Sequence, residues 1–227
     1  ASISALGIVP SVAAQAVVTP HLTVQANGLN SPKHITFGPD GRLYVTESGV
    51  GDPAKKNCVP TFGDSGEATT SCVGKTGAVV WIDGHTAVPV LSGLESVQEQ
   101  DTGETVGPAA VTFTHGSLDV VMQDTDVAPD GSTGLPGGDE FGKVVLAAKG
   151  SPRSSWQLFP DLAAYATEHP QTDFGGSPGE TANDSDPYDI TPYRGGYAIV
   201  DAAANALLWL SPAGQLSTLA HFPTLTE

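Results

Sequence analysis

The chain has 227 residues, and its 9 Lys and Arg residues against 25 Asp and Glu residues give a formal net charge of −16 at pH 7. This charge disfavours binding to nucleic acids or anionic membrane surfaces, because both present phosphate groups. Hydrophobic residues make up 39% and charged residues 15%, which favours a folded chain with a buried core. The 27 Gly and 18 Pro residues predict many turns and short elements, as in an all-β protein.

Residues 1–19 are small and mostly apolar, and Ala14-Gln15-Ala16 has the A-x-A form of a signal-peptidase site. The segment lacks an initiating Met and a basic stretch, which favours a mature N-terminal arm packed against the domain. Two interpretations of this segment stay open: a residual signal or pro-segment, and an N-terminal arm. Both indicate an exported protein. No apolar run approaches the roughly 18 residues that cross a bilayer, so no membrane insertion is predicted.

A pattern of proline, apolar strand, glycine-containing turn and second strand recurs three times, starting at Pro32, Pro108 and Pro187. Alternating apolar residues flank Asp-Gly, His-Gly and Gly-Gly, where a positive φ costs little, so each copy predicts a β-hairpin. Third strands are predicted at 77–83, 142–148 and 206–211, and fourth strands at 87–91, 155–159 and 215–220. Four antiparallel strands per unit are typical of a β-propeller blade.

The sequence therefore predicts a propeller part at 20–227, with blade-like units at about 31–94, 107–160 and 186–222. The intervals between units exceed the roughly 40 to 50 residues of a plain blade, because long insertions separate the strands. Leu22 to Ala26 is predicted as an outer strand that closes the ring. Rings need about four to eight blades, so we expect a six-bladed ring completed by a C-terminal continuation or by another chain.

Cys58 and Cys72 lie in a segment rich in Gly, Thr and Ser that has too few apolar side chains to order itself by packing. We predict a disulfide between them, worth about 3 kcal/mol on the chain-entropy model. Zinc is disfavoured, because no nearby residues supply two more ligands at zinc spacing. A structural disulfide indicates a compartment outside the cytoplasm.

Three stretches resemble the ScyD/ScyE family of secreted bacterial β-propellers, which is related to NHL-repeat and gluconolactonase-like propellers. They are residues 28–32 running into 37–47, the cysteine loop leading to 74–79, and 184–188 through 200–208 to 214–223. The resemblance implies a propeller fold, export from a bacterial cell, a short helix at 161–165 and further blades beyond 223. The sequence departs from the family pattern at Ala109-Ala110, where the resemblance implies a polar pair such as His-Asp.

First strands line the central channel of a propeller, so residues just after each proline are candidate ligand-binding groups. These are Lys33, His34, Ala109, Ala110, Tyr188 and Asp189. The resemblance to gluconolactonase-like propellers implies a channel cation such as calcium, for which Asp189 is the carboxylate at these positions. Glu47, Gln123 and Asp201 end the second strands and are predicted either to accept bonds from turn amides or to contact a ligand.

Two acidic loops are further candidates for a surface calcium: Asp124, Asp126 and Asp130 in one, and Asn183, Asp184 and Asp186 in the other. Neither matches the EF-hand loop, and a solvated turn is the favoured interpretation of both. Gly63-Asp64-Ser65-Gly66 matches a serine-protease segment, but no histidine in the required context accompanies it.

No complete set of nucleophile, base and orienting group is found in the sequence. The favoured function is a secreted, non-enzymatic propeller scaffold that binds a partner protein or a small ligand through its loop-rich face. One alternative is a calcium-assisted hydrolase or lactonase with its site in the central channel. Another is an extracellular structural protein that assembles with further copies of itself.

Overall fold

The computed structural model describes residues 22–62, 68–123, 135, 138–170 and 184–222. These residues form β-strands joined by turns and irregular segments, together with a 3-10 helix at Arg153–Ser155 and an α-helix, α1, at Leu162–Glu168. The strands are β1 (Pro32–Phe37), β2 (Leu43–Glu47), β3 (Cys58–Phe62), β4 (Ala68–Asp83), β5 (Thr86–Glu99), β6 (Thr105–Val106), β7 (Pro108–Thr114), β8 (Ser117–Met122), β9 (Val144–Ala148), β10 (Gln157–Phe159), β11 (Pro187–Tyr193), β12 (Gly196–Asp201), β13 (Ala206–Leu210) and β14 (Leu216–His221).

The described strands form three antiparallel sheets in chain order. The first sheet has the order β1-β2-β4-β5-β6, with β3 paired to β4. The second sheet runs β7-β8-β9-β10 and the third β11-β12-β13-β14. The predicted all-β class and the three predicted hairpins are confirmed, and α1 lies where the family resemblance implies a helix. Asp161 caps that helix by accepting a hydrogen bond from the Ala164 amide at 2.8 Å.

Two sequence predictions need correction. The third hairpin turns at Arg194-Gly195, with φ of 49° and 77°, rather than at the two glycines. Gly196 pairs with Tyr193 in the ladder, and a Cβ on Gly196 would lie 2.0 Å from the Leu210 carbonyl oxygen. The predicted outer strand at 22–26 is not formed: these residues pair with no described strand, and the Gln25 carbonyl lies 2.8 Å from His85 Nδ1.

Strand register defines which residues of the three hairpins are equivalent. Pro32 pairs with Glu47, Pro108 with Met122, and Pro187 with Asp201. Each ladder then carries one extra residue in its first strand, a β-bulge directly after the proline. Met122, and not Gln123 as the sequence pattern indicates, is therefore the equivalent of Glu47 and Asp201. Gln123 lies one position beyond Met122, where its backbone amide donates to the Gly107 carbonyl.

The sheets pack face to face in a row, with β7 in contact with both β1 and β11. Between the first and second sheets lies a buried cluster that includes Tyr44, Val79, Leu94, Val111 and Met122. Between the second and third sheets lies another, which includes Ala110, Val121, Ile190, Ile199 and Leu208. The second sheet thus buries both of its faces, which is why its strands are almost continuously apolar.

The cysteine segment is a β-ribbon, since β4 and β5 are longer than the sequence predicts. Their added halves pair with β3 and β6, and Cys58 lies directly opposite Cys72 in the β3–β4 ladder. The predicted disulfide is confirmed by an S–S distance of 1.98 Å. A small cluster that includes Val73, Val97 and Phe141 packs the ribbon against the segment that leads into β9.

A buried pair of glutamates joins the first and second sheets. Glu95 and Glu140 are 1% and 2% exposed, and each carboxylate accepts a hydrogen bond from the other's backbone amide, at 2.8 and 3.0 Å. Arg153 donates to both carboxylates, at 3.0 Å to Glu95 and 2.6 Å to Glu140. Burial raises the pKa of Glu140, and the charge and hydrogen bond of the Arg153 guanidinium oppose this shift.

Replacing both cysteines, Cys58→Ser with Cys72→Ser, is expected to lower the free energy of unfolding by about 3 kcal/mol, since the disulfide closes a separation of 14 residues. Chemical denaturation of the oxidised wild type and the double variant measures the loss. Adding a reductant should bring the wild type to the level of the variant and leave the variant unchanged. Equal stability of the two oxidised proteins would contradict the prediction.

Arg153→Met is expected to destabilise the fold by about 3 kcal/mol or more at pH 7, because two buried carboxylates lose their partner. The loss should be smaller at pH 5, because burial raises the pKa of Glu140 and its carboxyl can then take up a proton. Arg42→Met is the matched control, since Arg42 pairs with Asp40 at the surface over 3.5 Å and lies 4.1 Å over the Trp81 ring. Denaturation should show a loss of about 1 kcal/mol or less for this control.

Candidate functional site

The connections between strands divide the molecule into two ends. The turns between first and second strands, such as His115-Gly116, share one end with the turns between third and fourth strands, and we call this the turn end. The prolines that start the first strands lie at the opposite end, which we call the insertion end. The disulfide ribbon extends from the insertion end, and β8 ends and β11 begins there, at Met122 and Pro187.

The three bulges bring the predicted channel residues to the insertion end. The register shift falls at Lys33 and His34 in β1, at Ala109 in β7 and at Tyr188 in β11. Bulges re-aim side chains and are frequent beside functional sites. Lys33 is exposed and Tyr188 is 50% exposed, so both present their polar groups to solvent.

His34 and Asp189 meet across the row of sheets, with His34 Nε2 lying 3.5 Å from Asp189 Oδ1. Their side chains are 27% and 52% exposed, and the same Asp189 oxygen accepts a bond from the Ile190 amide at 2.8 Å. His34 Nδ1 is buried without a hydrogen-bond partner. The amide of His34 donates to Thr46 Oγ1, which in turn donates to the Ala109 carbonyl, so β1 is held against β7 at this point.

Ala109 and Ala110 do not contribute to the exposed surface between the first and third sheets. They are 3% and 0% exposed and belong to the apolar cluster beneath β11. Their small side chains allow β1 and β11 to approach β7 from either side. The departure from the family pattern noted in the sequence therefore has a packing role here.

The pKa of the Asp186 carboxyl is raised from the ordinary 3.8 to about 6. Burial is the main cause, and the nearby carboxylates of Asp201 and Asp184 act in the same direction. The Gln123 side chain, which donates to Asp186 Oδ1 at 3.3 Å, and the Lys33 ammonium group both lower the pKa. Gln123 Oε1 is buried without a partner.

Glu47 and Asp201, the two equivalent carboxylates, are directed at backbone amides. Glu47 accepts from the Asn30 amide at 2.7 Å. Asp201 accepts from the amides of Asp186 and Ala204, at 2.9 and 3.0 Å, and from Ser185 Oγ at 2.6 Å. Both side chains are at least nine-tenths buried, so they brace the loops that carry Asp186 and the start of β1. A direct ligand role for either stays a prediction.

Four of the predicted metal ligands, Asp124, Asp126, Asp130 and Asn183, lie outside the described residues. The segment Gly63-Asp64-Ser65-Gly66, which matches a serine-protease sequence, also lies outside them. Within the part of the chain that the structure describes, no three His, Cys, Asp or Glu side chains are grouped so as to hold a metal ion. Asp189 has His34 as its close polar neighbour, so calcium at this position stays a prediction.

Acidic side chains are concentrated at the insertion end. The described carboxylates there that are at least partly exposed are Asp52, Glu99, Asp101, Glu104, Asp139, Asp184, Asp186 and Asp189. Fewer lysines share this end: Lys33, Lys55, Lys56 and Lys75 are exposed there and Lys143 is partly exposed. The turn end carries the cations Arg42, Lys149 and Arg194 together with the carboxylates Asp40 and Asp83. In sequence, the segments 63–67, 124–134 and 171–183 contain acidic residues without any Lys or Arg.

Three polar contacts between sheets were not predicted from the sequence: Asp119–Tyr197, Gln123–Asp186 and Glu95–Glu140. Asp119 accepts hydrogen bonds from Thr114 and, at 2.9 Å, from Tyr197 of the third sheet, and burial raises the pKa of its carboxyl. Burial also raises the pKa of Tyr197 to about 12. The one available signal was Asp119 itself, an acidic residue inside an otherwise apolar strand. Gln123–Asp186 and Glu95–Glu140 join residues far apart in sequence and carried no local signal.

Comparison with family models, with curated proteins and with solved structures gives no match to this chain. The likeness to the ScyD/ScyE family therefore stays a prediction from the sequence motifs. Among the described residues, no helix has the length and apolar character needed to cross a membrane. The disulfide is typical of proteins that fold in an oxidising compartment.

Asp186→Asn is expected to change the pH dependence of stability. Because the folded-state pKa of about 6 lies above the ordinary 3.8, the folded protein binds more protons than the unfolded chain between these values. The free energy of unfolding of the wild type therefore falls as pH rises through this window. The variant has no ionisable group at position 186, so its free energy of unfolding lacks this decrease. Between pH 4 and pH 7 the variant should gain up to about 3 kcal/mol relative to the wild type.

Denaturation series at several pH values measure this difference. Asp83→Asn, an exposed change at the turn end, serves as the control and should leave the difference near zero. Parallel curves for the wild type and Asp186→Asn would show that Asp186 is not held in a buried site.

Proposed function

We propose that the chain is part of a β-propeller and acts as an extracellular, non-enzymatic scaffold that binds a positively charged partner at its insertion end. The observation that carries this proposal is the separation of charge between the two ends. Among the described residues, exposed and partly exposed carboxylates outnumber lysines at the insertion end, whereas at the turn end Arg42, Lys149 and Arg194 outnumber Asp40 and Asp83. A basic peptide or protein segment would be steered to the acidic end by the field of the whole molecule.

Three features support the propeller architecture. The sheets follow one another in chain order, each begins with a proline and a bulge at equivalent positions, and neighbouring first strands lie side by side. Each of these features is expected when first strands surround a common axis. Export from the cell is supported by the disulfide, which needs an oxidising compartment.

The insertion end is also built rigidly, as a binding face requires. The disulfide joins β3 to β4 within the ribbon, the Glu95–Glu140–Arg153 contacts join β5 to the second sheet, and Asp201 braces the loop before β11. Asp189 and His34 then form the centre of the face, with Tyr188 beside them as an aromatic contact. Rigid placement lowers the entropy that is lost when a partner binds.

Binding of a fluorescent lysine-rich peptide, compared with a glutamate-rich peptide of equal length, tests the proposal. Fluorescence anisotropy should show binding of the basic peptide that weakens steeply as salt is raised, and no binding of the acidic one. The double variant Asp139→Asn with Asp189→Asn should weaken binding about fivefold, because two exposed carboxylates of the insertion end are lost.

The control is Asp40→Asn with Asp83→Asn, which removes the same charge from the turn end. Asparagine at the first position can still accept the hydrogen bond that Tyr44 donates to Asp40. This control should change the affinity less than twofold. Equal weakening by the two double variants would mean that net charge alone attracts the peptide, and would contradict a binding face at the insertion end.

A further inference from the structure

The two outer sheets of the row each leave one apolar face without a neighbouring sheet among the described residues. On the outward face of the first sheet, Ile35 and Phe37 are 66% and 73% exposed. Val45, Ala78 and Val80 on the same face are buried in a small cluster against which Leu29 packs, so the open part of this face lies along β1. On the outward face of the third sheet, Val200 is 44% exposed, with Leu207 beside it in the ladder. Exposed apolar sheet faces of this kind are typical of surfaces that another molecule covers.

Register shows what the face of the first sheet is suited to contact. Ile35 pairs with Val45, Val111 with Val120, and Ile190 with Ile199, so Ile35, Val111 and Ile190 are equivalent. Val111 and Ile190 lie against the preceding sheet and are 1% and 3% exposed, whereas Ile35 is 66% exposed. The first sheet therefore presents the face that packs on a preceding sheet elsewhere in the molecule.

The third sheet presents the opposite kind of face. Thr46, Val121 and Val200 are equivalent, because each precedes the residue that pairs with the proline of its hairpin. Thr46 and Val121 are covered by the following sheet and are both 0% exposed, whereas Val200 is 44% exposed. The two outward faces are thus the two complementary halves of the interface that the chain already forms twice.

An aromatic contact within the chain shows how such an interface is filled. Phe113 of the second sheet packs edge-on against Tyr44 of the first, with ring centroids 4.7 Å apart. Phe37 is the register equivalent of Phe113, and Ala198 is the equivalent of Tyr44. On the outward faces a large ring would therefore meet a small side chain, which leaves room for Phe37 to be buried.

We propose that the occupant of these faces is a second copy of this chain, with the first sheet of each copy packed on the third sheet of the other. The chain itself carries both complementary faces, so two copies satisfy both at once. Two such interfaces form a closed pair with six sheets, a number within the range of about four to eight at which propeller rings close. The contact is head to tail, and closure prevents growth into a filament.

The mass of the native particle tests the proposal. Native mass spectrometry and light scattering of the 227-residue chain should give twice the 23.1 kDa of the single chain. Ile35→Lys and Val200→Glu should each shift the particle to the single-chain mass, since each places a charge in both interfaces. Leu158→Glu is the matched control: Leu158 is 42% exposed but lies on the edge strand β10 of the second sheet, so the pair should persist.

Mixing the two monomeric variants distinguishes a head-to-tail contact from a symmetric one. A mixed pair has one intact interface, between the unaltered first sheet of one variant and the unaltered third sheet of the other. Its second interface places the introduced lysine against the introduced glutamate. A mixed pair should therefore form, whereas contacts between identical faces would not be restored by mixing.

Three outcomes would overturn the proposal. A single-chain mass at all concentrations for the wild type would show that a second copy does not cover the faces. A monomer that pairs or binds an apolar dye only after removal of residues 1–21 would identify that segment as the occupant. A ladder of growing oligomers would show that the contact does not close. Denaturation of each variant establishes that it is folded.

Discussion

The organisation of this molecule depends on one constraint: each four-stranded unit is apolar on two faces and must cover both. The second sheet meets this requirement within the chain, because Val111 and Val120 face the first sheet and Val121 faces the third. The requirement explains why successive sheets stack in a row instead of folding separately, and why small residues, Ala109 and Ala110, stand where three first strands come together. On the two outer faces of the described chain it leaves Ile35, Phe37 and Val200 exposed.

Polar groups buried between the sheets act as a second level of specification. Asp119 with Tyr197, Gln123 with Asp186, and Thr46 with the Ala109 carbonyl each connect one sheet to the next. An apolar interface alone would tolerate sliding of one sheet over the other, whereas a directional hydrogen bond fixes one alignment. The ion pairs of Arg153 with Glu95 and Glu140 likewise fix the alignment of the ribbon on the second sheet. The insertion end is therefore positioned by directional polar contacts as well as by apolar burial.

The hairpins and the disulfide could be predicted because their signals are local: alternating apolar residues, a turn residue with positive φ, and two cysteines in a segment too polar to pack. The lengths of β4 and β5 could not, since their added halves are stabilised by pairing with β3 and β6 across the ribbon. The sequence pattern made Gln123, and not Met122, the equivalent of Glu47 and Asp201. This prediction was wrong by one position because a β-bulge adds a residue to one strand without changing the pattern of side chains. Of the candidate site, His34, Asp189, Lys33 and Tyr188 were predicted from their position after the prolines. The contact between His34 and Asp189, and the raised pKa of Asp186, depend on packing that a single sequence does not display.

The bulge after each proline has a consequence for how this scaffold can vary. Alignment of the two strands is set at the proline end, so the opposite ends of the hairpins are free to differ in length. The first hairpin spans residues 38–42 between its last paired residues, whereas the second uses only His115-Gly116. Both nevertheless place equivalent side chains on the same face. The turn end is therefore the permissive side of the molecule, where a foreign peptide could be inserted for display without disturbing either the packing between sheets or the acidic surface at the other end.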